Sequence, residues 1–80
     1  MFRVRVLPWL SAFEEAVLDK FGASRIGDLE YAKLLRLLLP LMDEDGTTFV
    51  RTLTCNSWAD LRRELIQKYG LTTMRAKTLI

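Results

Sequence analysis

Phe2-Arg3-Val4-Arg5-Val6-Leu7-Pro8 is the stretch that decides how the chain is read. Phe2, Val4 and Val6 alternate with Arg3 and Arg5, the period of a half-buried strand that carries two cations on its outer face. Pro8 ends the strand and suits the first turn of a helix. Leu10, Phe13, Val17 and Phe21 then recur at helical spacing, with Glu14, Glu15, Asp19 and Lys20 elsewhere on the wheel. Gly22 sits where a left-handed residue closes such a helix.

Beyond Gly22 the spacing predicts a second helix over Leu29 to Leu41, apolar on most of its circumference and striped by Glu30, Lys33 and Arg36. Either Ser24 or Asp28 can cap it, and Pro40 kinks or ends it. Asp43-Glu44-Asp45-Gly46 reads as a solvated turn, since Thr47 and Thr48 stand where a calcium loop needs a ligand and a glycine. Thr47 to Cys55 is rich in threonine and β-branched residues, which predicts a second strand. Ser57 and Asp60 form a capping box for a third helix whose Trp58, Leu61, Leu65 and Tyr69 share a face. Gly70 stops that helix, and Thr72 or Thr73 can cap a short last helix running to Ile80.

The expected fold is α+β, a single domain over residues 1–80 in the order strand-helix-helix-strand-helix and a short helix. Setting Gly22 on Gly70 aligns Phe13 with Leu61, Val17 with Leu65 and Phe21 with Tyr69. That alignment has two readings. One is a weak internal repeat of 2–42 and 48–80, giving two strand-helix-helix units around a two-stranded ribbon. The other is the likeness of any two amphipathic helices that end in glycine.

Composition narrows the function classes. Half of the 80 residues are hydrophobic, which argues against a disordered chain, and a net charge of +2 permits a nucleic-acid partner without requiring one. A domain of this size buries only about 60% of its unfolded surface, so a homodimer is expected to add to its stability. The lone Cys55, the absence of a visible signal peptide and the lack of an apolar run near 18 residues point to a cytoplasmic protein outside the membrane. With no histidine, no cysteine-histidine metal set and no glycine-rich phosphate loop, no catalytic residue, metal, cofactor or small-molecule substrate is expected. The chain reads as a binding protein and not an enzyme.

The strand ending in Leu7-Pro8, the helix closing on Phe21-Gly22-Ala23-Ser24-Arg25, and Leu29 and Ala32 on the next helix resemble the ribbon-helix-helix DNA-binding superfamily of the Arc and MetJ repressors. The resemblance covers the first half of the chain. It implies that two chains pair their strands into an antiparallel ribbon that enters the major groove, with Arg3 and Arg5 reading bases and Val4 and Val6 facing the core. Arginine suits bidentate contact with guanine O6 and N7. Backbone amides near Ser24 and Arg25 would hold a phosphate, with Arg25 and Arg51 adding charge.

Two functions remain open at this point. One is a small DNA-binding transcription regulator, which also finds an echo in the near helix-turn-helix spacing of Leu65 to Leu79. The other is a protein-protein interaction module, an adaptor, inhibitor or assembly subunit, with Trp9, Leu38, Leu41 and Trp58 as apolar anchors. In that case Arg3 and Arg5 only protect an edge strand by charge.

Overall fold

A computed structural model describes residues 2–77 of the chain. The elements are β1 (Phe2–Val4), α1 (Val6–Phe21), α2 (Tyr31–Leu38), α3 (Glu44–Thr52), α4 (Trp58–Tyr69) and β2 (Met74–Ala76), with 3-10 turns at Ile26–Asp28 and Leu39–Leu41. The expected α+β class holds: helices predominate, and the two short strands form one antiparallel sheet. Phe2 lies opposite Ala76, Arg3 opposite Arg75 and Val4 opposite Met74. On its other side β2 meets the segment before α3, where the Lys77 N–H donates to the Leu41 carbonyl at 2.8 Å and Met42 bridges Ala76. β2 is therefore held on both edges, and β1 is the edge strand.

The helices enclose one apolar core. α1 contributes Val6, Trp9, Leu10, Phe13 and Val17, α2 contributes Leu34 and Leu38, and α4 contributes Trp58, Leu61, Leu65 and Tyr69. Met74 and Ala76 close it from β2. An aromatic stack runs through it, Trp9 on Phe13 at 5.7 Å between ring centroids and Phe13 on Trp58 at 5.4 Å. Both indoles are satisfied at the margin of the core. Trp9 Nε1 donates to the Lys77 carbonyl at 3.1 Å, and Trp58 Nε1 donates to Glu14 Oε2 at 2.8 Å. The other Glu14 oxygen accepts from Arg62 Nε at 3.2 Å, so one carboxylate clamps α1 to α4.

Local signals explain the elements the sequence predicts. Gly22 closes α1 at φ 63°, its N–H donating to the Leu18 carbonyl. The Ser57 hydroxyl accepts from the Asp60 N–H at the start of α4. α2 gives way after Leu38 to the 3-10 turn of Leu39–Leu41, which contains Pro40, a residue with no N–H to continue the α-helical ladder.

Five expectations are corrected. Thr47 to Cys55 is no strand: residues 44–52 are helical, because the Asp43 carboxylate accepts from the Gly46 N–H at 2.9 Å and Glu44 and Asp45 suit the first turn. The same cap makes Asp43 to Gly46 a helix start instead of a solvated turn, and it buries Gly46. The second strand is β2, inside the span expected to be a last helix; the rest of that span, Thr78 to Ile80, lies outside the described residues. With a helix after position 42 and a strand after α4, the element order does not repeat, and α4 with β2 is no helix-turn-helix.

Candidate functional site

The ribbon of β1 and β2 has an inner and an outer face. Met74 and Ala76 are buried beneath it, and Arg75 alternates to the outside, where it meets the exposed Arg3 directly across the strands. Arg5 follows β1 and Lys77 follows β2, so the antiparallel register puts these two exposed cations at opposite ends of the ribbon. Like charges directly opposite each other in a sheet are destabilising. Among the described residues neither Arg3 nor Arg75 is in an ion pair.

Beside the arginine pair lies a recess of about 390 Å³, lined by Arg3, Arg75, Asp43, Asp45, Tyr69 and residues 72–74. Its basic wall is the ribbon and its acidic wall is the start of α3. Asp43 is engaged by its cap, whereas Asp45 has no ion pair or side-chain hydrogen bond among the described residues. Burial pushes the Tyr69 phenol up, and the carboxylates of Asp45 and Asp43 push it further. The ring therefore keeps its proton at neutral pH and offers a donor, not a charge. A second recess shares Tyr69 and Thr72 with the first and is lined as well by Arg5, Leu7, Pro8 and Gly70. Arg3 and Arg5 thus flank the same corner of the molecule.

The remaining sequence candidates are dispersed. Ser24 and Arg25 precede the Ile26–Asp28 turn, not α2, whose first turn follows Glu30 with no side-chain cap. The two residues share a recess with Glu14 and Glu15, so carboxylates replace the phosphate expected there. Arg51 is exposed in the last turn of α3, apart from the arginine pair. Trp9, Leu38 and Trp58 are core residues at 6%, 0% and 5% exposure, which removes them as partner anchors. Only Leu41 keeps an interaction role open. With Phe13, Ala16, Val17, Lys20 and Leu37 it lines a shallow groove of about 210 Å³ that is almost wholly apolar.

Sequence reasoning placed Arg75 on a short last helix and not across a ribbon from Arg3, where the structure has it. Its signal was the alternation Met74-Arg75-Ala76-Lys77, which mirrors Phe2 to Arg5 but is short enough to pass for a helix turn. Cys55 is half-buried, and its thiol is pushed up by burial first and then by Glu64 and Asp60, so it is a poor nucleophile at neutral pH. No helix among the described residues is long and apolar enough to cross a membrane. The chain matches no protein-family model, no curated protein and no solved structure in the three comparisons made.

Proposed function

We infer that the chain is a small DNA-binding protein that offers its two-stranded ribbon to the major groove, as a transcription regulator would. The observation that carries this reading is the Arg3–Arg75 pair on the exposed face of the ribbon. A major groove about 12 Å wide admits a two-stranded ribbon, and arginine forks fit guanine O6 and N7. A repulsive pair on a marginal domain calls for a compensating role, and an anionic or acceptor-rich partner supplies one. Arg5 and Lys77 at the ribbon ends are placed for phosphates.

This differs from the Arc and MetJ arrangement in one respect. There the ribbon is built from two chains, whereas here β1 takes its partner from β2 of the same chain. The resemblance then rests on how arginines are displayed and not on strand exchange. A homodimer belongs to the proposal as a way of placing two ribbons on two half-sites.

The test is duplex affinity by fluorescence anisotropy across a salt series. A phosphate-contacting ribbon gives an affinity that falls steeply with salt, and Arg5→Ala or Lys77→Ala reduces that slope by about one unit each. An affinity insensitive to salt would refute the reading. The apolar groove at Leu37 and Leu41 favours the second reading, a protein-interaction module. On that reading Leu41→Asp would abolish partner binding, and that binding would change little with salt.

A further inference from the structure

The recess beside the arginine pair contains an electrostatic oddity for a DNA-binding surface, since two carboxylates share it with two guanidiniums. A phosphate entering it would be attracted by one wall and repelled by the other. A base edge that offers acceptors next to a donor satisfies both walls. The major-groove edge of a G·C pair has this pattern: guanine N7 and O6 are adjacent acceptors, and the cytosine N4 amino group is the neighbouring donor. Adenine interleaves an acceptor with a donor, which suits an amide better than an arginine fork.

We propose that Asp45 is a specificity residue that accepts from cytosine N4 while Arg3 and Arg75 take guanine O6 and N7, so that the ribbon selects G·C over A·T pairs. The proposal rests on the ribbon reading above. Asp45 is exposed and has no ion pair or side-chain hydrogen bond among the described residues, whereas one oxygen of the less exposed Asp43 is held by the Gly46 N–H. Its place in the first turn of α3 holds its backbone rigidly across the recess from the ribbon. The same carboxylate discourages phosphate from occupying the arginines, which turns a nonspecific cation pair toward base edges.

The experiment uses the full chain, with G·C-rich and A·T-rich duplexes of equal length compared at fixed salt by fluorescence anisotropy. The expected preference for the G·C-rich duplex is about tenfold or more, the discrimination of one good base contact. Replacing the cytosines with N4-methylcytosine, which blocks the amino hydrogen without touching the protein, should remove most of that preference. Asp45→Asn should also reduce it while tightening binding to the A·T-rich duplex, because a charge that repels phosphate is gone. Duplex binding with a preference that survives both N4-methylation and Asp45→Asn would overturn the role of Asp45 and leave the ribbon reading standing. Duplex affinity unchanged by Arg75→Ala would overturn the ribbon reading, and the inference with it.

Discussion

Removing the Glu14 carboxylate should cost far more stability than removing its ion-pair partner. Glu14 serves two donors, the Trp58 indole at 2.8 Å and Arg62 at 3.2 Å. They are not equivalent. Trp58 is 5% exposed, so Glu14→Ala leaves an indole N–H facing the core margin without an acceptor. A hydrogen bond to a charged group contributes about 1.5–3 kcal/mol. The Arg62 side chain is 33% exposed, and a partly solvated pair of that kind contributes only about 0.2–1 kcal/mol. Glu14→Ala is therefore expected to lose about 2–3 kcal/mol, and Arg62→Ala under about 1 kcal/mol. For a domain of this size the first loss lowers the Tm by roughly 8–24 °C, and Glu14→Gln, which keeps an acceptor for Trp58, falls between. Urea unfolding followed by circular dichroism measures all three, with an unchanged m-value confirming a native-state effect. An Arg62→Ala loss equal to that of Glu14→Ala would mean that the ion pair and not the indole holds α1 to α4.

Two further outcomes follow from the corner at Tyr69. The folded phenol is raised above its unfolded value of about 10, so its contribution is complete below that pH and is lost as pH rises through the folded pKa. The chain should lose stability on alkaline titration, and Tyr69→Phe should flatten the part of that loss above about pH 10 in Tm-against-pH scans, the remainder being due to Tyr31 and Cys55, which burial also raises. Gly70 has an ordinary helical φ, yet a Cβ there would strike the Ile66 backbone carbonyl. Gly70→Ala should lower the Tm and, by moving the turn into β2, weaken duplex binding. Gly27→Ala, whose Cβ would meet open space, is the neutral control.

Much of the helical frame was legible in sequence because its signals are local. Leu10, Phe13 and Val17 mark the buried face of α1, Gly22 its left-handed end, and Ser57 with Trp58, Leu61, Leu65 and Tyr69 the start and face of α4. α3 was misread because Thr47, Thr48 and Val50 carry strand propensity, while the helix depends on one side-chain cap at Asp43. β2 was illegible for a different reason. Three residues carry too little periodicity, and their conformation comes from pairing with Phe2 to Val4 at the other end of the chain. The candidate site was half visible. Arg3 and Arg5 stood out, but Arg75 and Asp45 join them only once the chain has folded back on itself. Trp9 and Trp58 were misjudged because an aromatic residue on an amphipathic face has the same spacing whether its partner is the core or another protein.

If the Arg3–Arg75 pair is maintained for binding at some expense to the fold, one substitution with two readouts will show it. Arg75→Gln removes the cross-strand repulsion, so the folded chain should be at least as stable in urea as the parent. In the same preparation its affinity for a G·C-rich duplex should fall about tenfold or more. A variant that is less stable and still binds DNA fully would place Arg75 in the scaffold and not on the proposed DNA-reading surface.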